Sequence, residues 1–434
     1  MSTLLHPTAG YILDVARGAP PGPLSPRERE RLRDLARQVA AIAAQPQQAE
    51  KRQLWYRHNR LEKVRPMLLV FPEDSWAEIL PEETLELSDP FWRQWEWYLK
   101  HLIYRNHHLA DDFVIEPELI LNRVVRVGGW GLQPGYVSPG RAKGAWKYDP
   151  PLKDPWDIEH LTYPTIEVDE AATQRSWEAV GEVFADLLPV RLHCGPPIAN
   201  LIGEATALRG IDQVMMDMYD RPQWLHRLMD FLAEGLVRWA CYLEEKGYLT
   251  LNNRNHYTDS GGIGYTDELP APDFDGQRVR LRDLWGFGVA QELAGVSPAQ
   301  HEEFVLNYQL RLLEHFGLNA YGCCEPYTNK FDLLRKVPRL RRVSVSPWCD
   351  IETAAEKLQD RYIFSWKPNP AMLVGHFDPE RIRAYIRRTL QVARGCVVEI
   401  IQKDTFTLEH QPARLETWAR IAREEVERAA DGEP

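Results

Sequence analysis

No glycine-rich phosphate loop and no dinucleotide fingerprint occur anywhere in these 434 residues. Without such a loop between a strand and a helix, the chain lacks the usual cradle for a nucleotide pyrophosphate. Long apolar runs are also missing. None reaches the ~18 residues that a membrane-spanning helix needs, and no N-terminal stretch has the charged start, apolar middle and small-residue end of a secretory signal. Cysteine is scarce, with six residues at positions 194, 241, 323, 324, 349 and 396. That is too few in so long a chain for a disulfide framework, so a reducing cytoplasm is the expected setting. Positive charge is in deficit as well: 52 Lys and Arg face 63 Asp and Glu, a net charge of −11. With no basic run to offset it, this balance excludes the usual nucleic-acid binder. A small-molecule substrate is expected, with no membrane and no nucleic acid.

What is present is material for a large core. Hydrophobic residues make up 44% of the chain, and tryptophan is frequent, with Trp92, Trp95 and Trp97 inside one short stretch. At helical spacing such a cluster fills a core or an interface more often than it stacks on a ligand. If exposed, it would suit a homodimer. Ser25-Pro26-Arg27-Glu28 has the form of a capping box with proline at the first helical position, and predicts a helix to about Ala44. From about residue 66 to 160 the pattern is irregular. Beyond about 171, strands alternate with helices: Val190–His193, 248–252, 318–323, 342–346, 362–366 and Val397–Gln402 read as strands. This rhythm predicts an α/β fold, a (βα)8 TIM-type barrel over residues 166–434. Residues 1–165 are expected to form an N-terminal helical and irregular region packed on it.

In such a barrel the chemistry belongs at the carboxyl ends of the strands. Polar residues recur there: His193 and Cys194, the run Asn252-Asn253-Arg254-Asn255-His256 with Asp259, Cys323-Cys324-Glu325, Ser344, Ser346 and Asp350, Lys367 and Asn369, then Glu399, Lys403 and Asp404. Two soft thiols followed by a carboxylate are a ready source of zinc ligands. Strand alternation puts Cys323 and Glu325 on one side and Cys324 on the other, so both thiols reach one ion only where the chain leaves strand geometry. Each of these residues also has a plainer reading. A free cysteine is often a small packing residue, and Glu399 inside an apolar run calls for a buried partner such as Lys367 or Lys403.

The second half resembles the uroporphyrinogen decarboxylase superfamily, which includes the decarboxylase and the zinc-dependent methyltransferases of corrinoid metabolism. The resemblance is carried by Gln291 to Gln300, the Cys323-Cys324-Glu325 strand end, Val343 to Ser346, Phe364 to Pro370 and Glu399 to Thr407. It implies an α/β barrel. The methyltransferase branch holds zinc with a His-x-Cys strand end and a later cysteine. Here the strand end is Tyr321-Gly322-Cys323, and Glu399, Lys403 and Asp404 stand near the place of the later cysteine. A zinc site would then be rebuilt from Cys323, Cys324, Glu325 and His256. The expected catalytic residues are His256, Tyr257, Lys367 and Asp404. Asn253, Arg254, Trp348, Trp366 and Glu399 are expected to bind substrate. The leading expectation is a zinc-dependent methyltransferase, or demethylase, acting on small methoxylated substrates, aromatic ones included. Its methyl group would pass to a corrinoid on a partner protein, since the chain has no Asp-x-His-x-x-Gly motif of its own. The alternative is a cofactor-independent decarboxylase acting on a carboxylated substrate.

Overall fold

The computed structural model describes residues 20–137, 140, 147–258 and 260–432, so the expected strand-end residue Asp259 lies outside the described residues. Its frame is a parallel sheet of six strands. In sheet order these are Met67–Val70, Val397–Gln402, Ile363–Trp366, Leu340–Val345, Leu318–Tyr321 and Trp285–Gly288. Parallel neighbours cannot be joined by a hairpin. The helices Phe331–Leu334, Ile351–Leu358 and Pro379–Val392 therefore carry the chain between successive strands. Side-chain caps fix where two of them begin: Asp350 accepts from Thr353 N, and Asp378 from Glu380 N and Arg381 N.

A second parallel pair joins Leu119–Asn122 to Val190–His193. Short contacts tie its flanks to both edges of the large sheet. A single parallel bridge links Ala199 to Gly288, and Asp112 N donates to Leu68 O at 2.7 Å. The central sheet is thus six strands with a separate pair beside it, not one continuous ladder.

The expected strand at 248–252 is absent as a regular element. Its last residue explains why. The Asn252 side chain donates to Trp285 O at 3.0 Å and accepts from Trp285 N at 2.9 Å, taking the backbone groups a ladder would use. Trp285–Gly288 is a strand the pattern did not signal. Glycines hide it, and close packing demands them: a Cβ at Gly286 would sit 2.2 Å from the Phe316 ring, and one at Gly288 2.7 Å from the Tyr321 ring.

The helix Pro26–Ala43 starts at the Ser25–Glu28 capping box as expected. It packs against the helix Pro90–His108, which buries Trp92, Trp95 and Trp97 in a core shared with the inner side of the sheet. The tryptophan cluster therefore offers no exposed face for a dimer. The N-terminal region also supplies the edge strand Met67–Val70, which pairs with Val397–Gln402. Among the described residues, no helix is long and apolar enough to cross a membrane.

The register sets Glu399 beside both Met67 and Ser365, and Ser365 beside Ser344, so a polar stripe crosses one face of the sheet. Glu399 is fully buried there. Its Oε1 lies 2.9 Å from Arg342 Nε, its Oε2 lies 3.1 Å from His58 Nε2, and Ser365 Oγ donates to it. Arg342 and His58 hold the carboxyl well below its usual range although burial opposes this. Burial in turn lowers the His58 pKa, against the pull of Glu399. Lys367 donates to Ser365 Oγ at 2.8 Å. Glu399, expected to bind substrate, is instead the buried acceptor of this network.

Candidate functional site

Just past the strand Leu318–Tyr321 the chain stops alternating. Gly322 has φ +96°, a left-handed value that glycine adopts freely. A Cβ there would also lie 2.5 Å from the Tyr327 ring. This turn lets both following thiols reach the same place. Cys323 Sγ and Cys324 Sγ are 3.4 Å apart. Ser260 Oγ donates to Cys323 Sγ at 3.1 Å, and Lys403 Nζ lies 3.6 Å from the same sulfur. Cys324 Sγ lies 3.5 Å from Asp404 Oδ2.

The remaining pieces come from the ends of two neighbouring strands. After Val397–Gln402 come Lys403 and Asp404. After Met67–Val70 comes Glu73. Both Asp404 (φ +58°) and Glu73 (φ +49°) hold the left-handed conformation, which costs a non-glycine residue about 1–2 kcal/mol. They are linked: Asp404 N donates to Glu73 Oε2 at 2.7 Å. Sequence reasoning missed Glu73. Its signal was a carboxylate two residues beyond the apolar run Met67–Phe71.

Charges in this cluster shift one another. The Cys324 hydrogen bond is the largest influence bringing the Cys323 thiol down to about 6, with Lys403 and Ser260 assisting against burial. Cys324, as the donor, is pushed far above the ordinary thiol range. Burial pushes the Glu73 carboxyl up to about 7; Asp404 and Cys323 add to the rise while Lys403 opposes it. Burial works against the Lys403 ammonium, but Tyr257, Cys323, Asp404 and Glu73 together raise its pKa. The cluster thus joins a thiolate, a fixed cation and a carboxyl that titrates near neutrality.

The raised Glu73 pKa has a stability consequence. Its folded value lies above the unfolded one, so its contribution is full below about pH 4.5 and is lost as pH rises through about 7. Glu73→Gln is accordingly expected to match the wild type in acid and to exceed it above pH 7, by up to about 3 kcal/mol. Urea unfolding at pH 5 and pH 8.5 measures this. Equal stabilities at both pH values would show that the carboxyl is not destabilised.

The four expected zinc ligands are not brought together. Glu325 is committed elsewhere: its carboxylate accepts from Ala290 N at 2.9 Å, Cys323 N at 2.8 Å and the Tyr327 hydroxyl. It braces the cysteine turn from behind. His256 stands against His193, ring centroids 4.7 Å apart, at a different cavity. Among the described residues, no group of three or more His, Cys, Asp and Glu side chains is arranged to hold a metal ion. Two thiols with an ammonium against one of them do not make the four-donor set of a tetrahedral zinc site, so the residues present do not fit the metal.

Of the other expected residues, Tyr257 belongs to the cluster through its effect on Lys403 and packs edge-on to Phe71 at 5.8 Å. Lys367 is buried with the Glu399 network. Asn253 and Arg254 line the same cavity as His256. Trp366 is fully buried on the helix side of the sheet, 5.1 Å from the Tyr385 ring. Alternation within its strand points it away from the face that carries Ser365. Trp348 is 65% exposed beyond the end of Leu340–Val345, and Phe406 is 63% exposed beyond Val397–Gln402.

No family model matches the chain, and no curated relative matches it by sequence. Among solved structures, the chain is similar to a methyltransferase from Methanosarcina mazei, at 11% identity and a TM-score of 0.49. The match covers 85% of this chain and 97% of that one.

Proposed function

We propose that this chain is a methyltransferase whose nucleophile is Cys323, set between Cys324, Ser260 and Lys403, with Glu73 as the acid that serves the leaving oxygen. The contact set around Cys323 Sγ is the observation that carries this reading. Three groups that favour a thiolate meet one sulfur at the carboxyl end of a parallel sheet, where functional side chains of such folds gather. In this reading the six-stranded sheet and the flanking pair are parts of one barrel of the uroporphyrinogen decarboxylase kind, and the donor is a small methoxylated, flat substrate.

The step balances simply. Cys323 sulfur attacks the methyl carbon, the S–C bond forms and the C–O bond breaks. The electron pair stays on the substrate oxygen, which takes the Glu73 proton and leaves as an alcohol or phenol. Lys403 keeps the sulfur ionised before the attack. Regeneration of the thiolate requires a methyl acceptor, in this reading a corrinoid on a separate protein. Zinc has no part in these steps, because the four side chains do not fit it.

A second reading rests on a specific pair. The buried Lys403 ammonium, acting electrostatically on a Glu73 carboxyl that titrates near neutrality, is also what a decarboxylase uses, one to hold a substrate carboxylate and the other to protonate the carbanion. A methoxybenzoate separates the two, since it carries both groups. Methyl transfer yields a hydroxybenzoate and a protein one methyl group heavier at Cys323. Decarboxylation yields methoxybenzene and carbon dioxide. Formation of the second pair with an unmodified protein would overturn the first reading.

A further inference from the structure

Away from the thiol cluster lies a cavity of about 550 Å³, within the ordinary size range of small-molecule sites. It is framed by Arg191, His193, Asn253, Arg254 and His256, with Glu118 at one side. We propose that this cavity binds a small monocarboxylate with an apolar body, independently of whether the thiol centre transfers a methyl group.

Three observations converge on that ligand. First, the charge count favours an anion. Two guanidiniums share one carboxylate: Glu118 pairs with Arg191 at 2.5 Å and reaches Arg254 only at 3.6 Å. The histidines add no charge, since burial lowers both their pKa values, that of His193 to about 4. One positive charge is left over, and Arg254 is the less tightly held of the two cations.

Second, a polar group inside the cavity wall lacks a partner. His256 is only 8% exposed, and its Nδ1 has no hydrogen-bond partner. A buried ring nitrogen left so is costly unless something completes it. The neighbouring imidazole is already fixed, with His193 Nδ1 2.8 Å from Thr250 Oγ1. Third, much of the remaining lining is apolar, with Thr250 and Gln277 as its polar members. Leu249, Leu251, Phe274 and Val279 supply a wall against which a hydrocarbon body packs. A carboxylate seated on Arg254, with its body on that wall and a polar edge towards His256, uses all three features.

The test uses the full chain with benzoate as probe and benzamide, its neutral counterpart of like shape, as control, by calorimetric titration. Benzoate is expected to bind, with benzamide about tenfold weaker or more. Arg254→Gln is expected to weaken benzoate by a similar factor. Glu118→Gln should tighten it, because the arginines lose their competitor, and a variant that merely misfolds would not show that gain. Thermal melts confirm that each variant is folded. Equal binding of benzoate and benzamide, no binding of benzoate by the wild type, or a Glu118→Gln variant that binds benzoate no better would each overturn the proposal.

Discussion

Replacing Cys323 with alanine is expected to reduce methyl transfer by about a thousandfold or more, since it removes the nucleophile itself. Cys324→Ala should behave differently. It keeps the nucleophile but deletes the hydrogen bond that contributes most to lowering the Cys323 pKa. Turnover should therefore survive and its pH dependence should move to higher pH. Lys403→Met should move it in the same direction, through loss of the ammonium 3.6 Å from the sulfur. The contrast matters more than either variant alone, because a merely structural role for the thiols would make Cys323→Ala and Cys324→Ala alike. Initial rates of hydroxybenzoate formation across pH, with folding checked by circular dichroism, measure all three.

The second large effect is on stability. Glu399→Ala should cost about 3–5 kcal/mol, the usual penalty for leaving one member of a buried ion pair uncompensated. Arg342 and Glu399 are both fully buried, with His58 and Ser365 completing the carboxylate's hydrogen bonds. The pH dependence has a definite sign. The folded carboxyl lies well below its unfolded value, so its contribution is present above about pH 4.5 and is lost as pH falls towards the folded pKa. Wild type should therefore lose stability in acid more steeply than Glu399→Gln. Urea midpoints at pH 7 and pH 4 measure both effects, and a Glu399→Ala midpoint equal to wild type would show that the network adds nothing.

The parts of the site that were legible in the sequence are those where strand ends are marked by an abrupt change from apolar to polar. Cys323, Cys324, Lys403 and Asp404 stand directly after such runs, and they do come together. Glu73 escaped notice because Pro72 intervenes and the carboxylate reaches the cluster only through a left-handed turn that no local pattern announces. Alternation read as an unbroken strand put the two cysteines on opposite faces; the positive φ of Gly322 breaks it, so the thiols converge while Glu325 turns back to Ala290 N and Tyr327. A strand at 248–252 would carry His256, Asn253 and Arg254 to the same end of the sheet as the thiols. With Asn252 bonding through its side chain instead, the following segment lines a separate cavity. Trp366, expected to bind substrate, is instead buried on the helix side of the sheet, because alternation with Ser365 turns it away from the polar face.

The parallel sheet was similarly legible wherever β-branched and apolar residues run together, as in Val397–Gln402. The strand Trp285–Gly288 was not, because two of its four residues are glycines kept small by the rings of Phe316 and Tyr321.

The proposed chemistry needs Cys323 to be a thiolate at neutral pH. Titration of the far-ultraviolet thiolate absorbance of the purified protein tests it directly. One thiol is expected to ionise with a midpoint near pH 6, absent from Cys323→Ala and moved upward in Cys324→Ala. A wild-type titration with no thiol ionising below the ordinary range of about 8.5 would contradict it.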